Sequence, residues 1–308
     1  MADPLRIVFM GSPDFAVPSL EALCAGPHRP VAVVTGPDKR RGRGNTLSPT
    51  PVKECALRHG IPVIETDSLK DPAIHAELSA LRPDLFVVVA FKILPKALLE
   101  VPAIGSVNVH ASLLPKYRGA APIHWAIVNG ETETGVTIFF LNEGVDTGGI
   151  LLQATTPIGP DETTGDVYYR LMRVGAETLM VAVENIWKGG YTLNPQSEAH
   201  ASPAPKVFPD DALLPLDLPA EQIRQRIRGF NPAPGAWVWL DGKKLRVHES
   251  KIIRKSEYER ADRFQFMTPT DVIRFTVVQL EGKAKQPADE FIRGYAGKWV
   301  FEGKKQYI

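Results

Sequence analysis

Three side chains with complementary chemistry fall in two short runs of this 308-residue sequence. Asn108 and His110 stand two positions apart in Asn108-Val109-His110-Ala111-Ser112-Leu113-Leu114-Pro115, and Asp146 heads the later run Asp146-Thr147-Gly148. An amide such as Asn108 donates a hydrogen bond to an oxygen that gains negative charge. An imidazole such as His110 moves a proton near neutral pH, and a carboxylate such as Asp146 orients the ring and stabilises its charged form. Such a trio transfers an acyl group straight to an incoming amine, so Ser112 need not be a nucleophile. Taken singly, an Asn-x-His in a strand is most often structural, and an Asp before Thr-Gly is most often a turn or cap residue. What sets these residues apart is their order, together with the adjoining Ser-Leu-Leu-Pro and Arg118-Gly119-Ala120-Ala121-Pro122.

Residues that must converge from distant positions need a sheet to carry them. Apolar runs at 5–10, 31–35, 61–64, 85–90, 106–110 and 134–141 alternate with helical patterns, which predicts βαβ units and a mainly parallel, covered sheet. The turn Gly11-Ser12-Pro13-Asp14-Phe15 has the features of a helix start but lacks the further glycines of a dinucleotide fingerprint, which argues against NAD. Val167, Leu171, Val174, Leu179, Val183 and Ile186 predict one long helix over 164–188, stopped by Gly189-Gly190. A first domain is therefore expected over 1–190. Pro195, Pro203 and Pro205 make 191–208 a tether, and a second domain follows over 209–308. That domain has a helix at 220–230 and strands at 237–240, 245–248 and 272–280, with an Asp241-Gly242 hairpin turn, and reads as a small β-barrel.

With 44% apolar and 23% charged residues and a net charge of +1, the chain has the composition of a soluble globular protein, and nothing suggests wholesale coating of nucleic acid. Residues 209–308 hold 18 Lys/Arg against 14 Asp/Glu, a mild excess that by itself describes a solvated surface. The run Lys39-Arg40-Arg41-Gly42-Arg43-Gly44 is more pointed: four positive charges among glycines just after a strand suit a loop that folds onto phosphates, although a solvated loop would have the same composition. Trp237 and Trp239 could stack on bases, but core packing is favoured for at least one of them. Cys24 and Cys55 fall in helical stretches without metal-ligand spacing and read as free thiols of a reducing compartment. A strand starting at Leu5 leaves no room for a cleavable leader, and no run approaches the ~18 apolar residues that would span a bilayer. A cytoplasmic protein without a membrane partner is expected.

Residues 108–123, Asn-Val-His-Ala-Ser-Leu-Leu-Pro-Lys-Tyr-Arg-Gly-Ala-Ala-Pro-Ile, resemble the signature of the 10-formyltetrahydrofolate-dependent formyltransferases. The likeness extends over essentially the whole chain, through residues 11–15, 37–53, Glu133-Thr134-Gly135-Val136-Thr137, Asp146-Thr147-Gly148, Phe230-Asn231-Pro232 and Pro234-Gly235-Ala236-Trp237. It implies a Rossmann-like first domain, an OB-like β-barrel as the second, and Asn108, His110 and Asp146 as the catalytic trio. It also implies that Ser112, Leu113, Leu114 and Pro115 border the folate, that a sharp turn, with a cis bond in view, occurs at Leu114-Pro115, and that no metal takes part. The branch it favours takes as acceptor the α-amine of methionine on charged initiator tRNA, with Arg40, Arg41 and Arg43 on the tRNA; a monomer is expected. Attack by a neutral amine on the formyl carbon of 10-formyltetrahydrofolate creates an oxyanion for Asn108 and a proton for His110. Two other readings stay open: a sugar-nucleotide N-formyltransferase, which lacks the basic loop and usually reads Arg-Gly-Arg-Ala-Pro, and a non-catalytic RNA-binding protein. One departure from the family pattern is Ala90-Phe91-Lys92-Ile93-Leu94-Pro95, one residue short and without the glycine that would allow positive φ.

Overall fold

Strands that are apolar at every position must be covered on both faces, and the strands at the centre of the first sheet are of this kind. The computed structural model describes residues 3–41, 46–259 and 262–302. In chain order come β1 (Ile7–Gly11), α1 (Val17–Ala25), β2 (Ala32–Thr35), β3 (Lys39–Arg41), β4 (Thr46–Ser48), α2 (Pro51–Arg58), β5 (Val63–Glu65), α3 (Pro72–Ala80), β6 (Leu85–Val89), α4 (Lys96–Leu99), β7 (Gly105–His110), α5 (Pro122–Val128), β8 (Glu133–Phe140), β9 (Ile150–Pro157) and α6 (Thr164–Lys188). Every residue of β1, β2 and β6 is buried. The seven-stranded sheet runs β5-β2-β1-β6-β7-β8-β9, parallel from β5 to β7 and antiparallel between β7 and β8. The mainly parallel sheet expected from the sequence is therefore present.

Local signals place the helices. Thr50 caps α2 by accepting from the Lys53 N–H at 3.1 Å and Asp71 caps α3 by accepting from the Ala73 N–H at 2.9 Å, each followed by a proline at the first helical position. Leu171, Leu179, Val183 and Ile186 of α6 are buried, and the helix gives way to Gly189 at φ +69°. The basic loop contains the short β3–β4 hairpin, an element its composition did not announce.

The chain forms two compact units that interleave in sequence: residues 1–119, 134–156 and 168–203 make the first, and 120–133, 157–167 and 204–308 the second. Residues 191–203, read from their prolines as part of a tether, thus belong to the first unit. Prolines exclude regular elements there but not backbone pairing: Asn194 and Ile150 exchange hydrogen bonds of 2.9 and 2.8 Å.

The second unit adds α7 (Ala220–Gly229), β10 (Trp237–Leu240), β11 (Lys243–Ile253), β12 (Gln265–Met267), β13 (Val272–Leu280), β14 (Gln286–Pro287), α8 (Ala288–Gly294) and β15 (Phe301–Glu302). Its antiparallel sheet runs β12-β13-β11-β10-β15, with β14 on β13. Asp241 and Gly242, at φ +49° and +75°, make the β10–β11 turn with the positive dihedrals a two-residue hairpin loop needs. Among the described residues the end strands β12 and β15 share no ladder, but Phe266 and Phe301 meet edge to face at 4.9 Å, so the sheet is barrel-like in its packing. No helix among the described residues is long and apolar enough to cross a membrane.

Candidate active site

Successive side chains of a strand point to opposite faces, so Asn108 and His110 of β7 project from the same one. Their partners in register on β8 are Phe139 and Thr137. The His110 ring is 5% exposed and meets Phe139 edge to face at 6.4 Å. Its Nε2 lies 2.9 Å from the Tyr117 carbonyl, a group that only accepts, so Nε2 carries the proton and Nδ1 is left as the basic nitrogen. Nδ1 faces Asp146 Oδ2 at 3.7 Å. That separation suits an ion pair with protonated His110 but is long for a hydrogen bond. The Tyr117 carbonyl is thus the hydrogen-bond partner of the ring, and the Asp146 carboxylate faces its other nitrogen. Asp146 Oδ2 is itself held by the Gly119 N–H at 2.8 Å.

The loop after β7 is fixed from beneath by a polar cluster. The Thr137 hydroxyl donates to the Ser112 carbonyl at 2.7 Å and accepts from the Leu114 N–H at 3.0 Å and from Gln153 Nε2 at 2.9 Å. Gln153 Nε2 also reaches the Leu114 carbonyl at 2.9 Å, and Ser112 Oγ donates to the Lys116 carbonyl at 2.7 Å. The Leu114–Pro115 bond is cis, as the resemblance suggested. Ser202 closes the loop from the far side, its Oγ accepting from the Tyr117 N–H and its carbonyl from the Arg118 N–H, both at 2.9 Å. Thr137, Gln153 and Ser202 carry no sequence signal of this role, because each acts through partners more than ten residues away.

The Asp146 turn has its own restraints. Asn142 Oδ1 accepts from Thr147 Oγ1 at 2.8 Å and from the Gly144 N–H at 3.1 Å. Gly148 lies so close to the Phe140 carbonyl that a Cβ there would overlap the oxygen, which explains a glycine after Asp-Thr.

Asn108 and Asp146 open onto one small cleft at the carboxyl end of β6, lined on its apolar side by Val88, Phe91, Ile93, Leu94 and Leu141 and on its polar side by Lys92 and Asn142. Open α/β sheets bind ligands at such strand ends. Among the described residues the Asn108 carboxamide has no hydrogen-bond partner, so it is free to meet a ligand. Ala90 adopts φ +48°, in the left-handed region that glycine favours. Ser112–Pro115 do not line this cleft; Ser112 and Leu114 are buried in the loop that carries Tyr117.

Two of the basic residues lie on β3. Arg40 is exposed on β3 opposite Leu47, Arg41 pairs in register with Thr46, and Arg43 lies outside the described residues. Lys53 secures the root of the hairpin between Asp38 at 2.7 Å and Glu65 at 2.8 Å. In the second unit Trp237 is buried and donates to the Pro209 carbonyl at 2.9 Å, and Lys244 Nζ stands 4.2 Å from its ring centroid, so Trp237 packs as expected.

The sheet thus brings an amide and a carboxylate to one cleft, and the His110 imidazole, which is not part of its lining, stands 3.7 Å behind the carboxylate. Residues 5–183 match the formyl transferase family and residues 206–296 the formyl transferase C-terminal domain. The chain belongs to the formyl transferase family. It is 44% identical over 300 residues to the methionyl-tRNA formyltransferase of Moorella thermoacetica, covering 94% of this chain and 96% of that protein. It is 41% identical to the methionyl-tRNA formyltransferase of Porphyromonas gingivalis, with 96% and 97% covered. Among solved structures, the N-formyltransferase of Helicobacter canadensis with folinic acid and dTDP-3-aminofucose aligns at a TM-score of 0.67 and 21% identity, over 88% of this chain and 99% of that one, a likeness of fold.

Proposed function

We propose that this protein transfers the formyl group of 10-formyltetrahydrofolate to the α-amino group of methionine on charged initiator tRNA. The observation that carries this reading is near full-length likeness, through both family regions, to proteins named methionyl-tRNA formyltransferase. The apolar side of the cleft would take a fused planar ring, with the Asn108 amide in its lining. Asn108 would donate to the oxyanion formed when the amine attacks. His110 Nδ1 would take the amine proton, the Asp146 carboxylate 3.7 Å away stabilising the resulting imidazolium, and the same ring would return the proton to the leaving nitrogen. The Tyr117 carbonyl keeps the other ring nitrogen protonated throughout.

The basic loop, through Arg40, Arg41 and Arg43, and the domain expected over residues 209–308 would bind the tRNA backbone by phosphate contacts. Ser112–Pro115 act through the loop that sets Tyr117. The protein works as a monomer in the cytoplasm. A formyl-transfer assay offering methionyl initiator tRNA, a 4-amino-sugar nucleotide or no acceptor tests the proposal. Rapid formylation of the tRNA alone is expected, and activity confined to the sugar nucleotide would overturn it.

A further inference from the structure

Asp146 presents its carboxylate from a turn outside any strand or helix, at φ +54°, in the left-handed region that L side chains rarely adopt. Holding such a turn in place requires bonds to its backbone, and one side chain provides them on both sides of Thr147. Gln196 Nε2 donates to the Asp146 carbonyl at 2.8 Å and to the Gly148 carbonyl at 2.9 Å. At its other end, Gln196 Oε1 accepts from Arg118 Nε at 3.1 Å and Nη2 at 2.9 Å. Arg118 also forks onto Glu198, with Nη1 and Nη2 each at 2.9 Å. A guanidinium that draws density from Oε1 makes Nε2 the stronger donor, so the two ends of the amide reinforce each other.

The position of Arg118 gives these bonds their consequence. Its neighbours are Tyr117, whose carbonyl holds His110 Nε2, and Gly119, whose N–H holds the Asp146 carboxylate. A single side-chain amide thereby joins the loop that orients His110 to the turn that carries Asp146. Gln196 lies between the two regions matched by the family, 5–183 and 206–296. We propose that Gln196 is a positioning residue that sets the Asp146 carboxylate against His110, with Arg118 and Glu198 fixing its amide. The inference rests on the reading of Asp146 as a working residue of formyl transfer.

The test is a single-turnover cycle on full-length protein. Gln196→Ala is expected to slow the chemical step roughly 10- to 100-fold while donor affinity changes less than about two-fold, as for a misplaced catalytic group. Gln196→Glu, nearly isosteric, keeps the acceptor toward Arg118 but turns a carboxylate oxygen on two carbonyls, so it should be as slow as Gln196→Ala. Thermal unfolding and folate binding of both variants establish that the fold is kept. In the Asp146→Ala background, Gln196→Ala should add less than about a two-fold further loss, since its effect passes through Asp146. A Gln196→Glu variant at the wild-type rate, or losses that multiply in the double variant, would overturn the inference alone. Full activity of Asp146→Ala by itself would overturn the site reading and the inference with it.

Discussion

Asn108→Ala separates catalysis from stability more cleanly than any other change in the site. Because the carboxamide has no partner among the described residues and lines an open cleft, its removal leaves no buried donor or acceptor unsatisfied. Stability should change by no more than about 0.5 kcal/mol, as for substitutions away from packed or paired groups. In the transition state the same amide would face an oxyanion, and deletion of one such donor typically costs about 100- to 1,000-fold in rate, or roughly 2.7–4 kcal/mol. The cleft is open to solvent, so water can partly replace the donor, and the lower end, about 100-fold, is expected. Rapid-quench single turnover on saturating donor and methionyl initiator tRNA measures the chemical step, and equilibrium denaturation measures the stability. A near-wild-type rate would refute the oxyanion role. A rate loss matched by a comparable loss of stability would show instead that Asn108 serves the fold.

Three further outcomes are expected. Thr137→Val leaves the buried Leu114 N–H and Ser112 carbonyl without their hydroxyl partner, and should destabilise by about 1–3 kcal/mol in denaturant titrations; an unchanged midpoint would mean that the cluster under the loop relaxes freely. Burial alone would raise the Asp262 carboxyl, but hydrogen bonds from Arg274, the Phe264 N–H and Gln265 outweigh it and hold its pKa below the ordinary range. A depressed folded-state pKa stabilises above the unfolded value of about 3.9 and the effect fades as pH falls through the folded one. Asp262→Asn should accordingly weaken the protein at pH 7 and cease to matter in strong acid, and a penalty that persists unchanged at low pH would contradict this. Arg43→Ala should cost about 1–3 kcal/mol in kcat/KM with tRNA and little with a small amine at saturation, while tRNA use falls with rising salt as phosphate contacts release counterions. Equal losses on both acceptors would remove the loop's role.

Asn108 and His110 were legible in the sequence because strand periodicity alone puts them on one face, and β7 follows the apolar run that predicts it. The glycine of Asp146-Thr147-Gly148 also has a local cause, its contact with the Phe140 carbonyl. The orientation of His110 was not legible, since it depends on a backbone carbonyl seven residues on. Strand β9 was missed because its burial alternates only in part and it closes an edge of the sheet. Gln196 and Ser202 were hidden in a proline-rich stretch whose composition describes flexibility, whereas its hydrogen bonds reach back to residues 115–118 and to 146–148. Such pairings have no period to read. The interleaving of the two units was equally hidden, since it arises from contacts between distant segments.

Direct transfer to methionyl-tRNA is tested most directly by following an isotopically labelled formyl group through one turnover. With labelled 10-formyltetrahydrofolate and charged initiator tRNA, rapid quench and mass spectrometry should find the label passing in one step to the methionine α-nitrogen. Label appearing first on the protein, or reaching an amino-sugar nucleotide while the tRNA stays unmodified, would contradict the account.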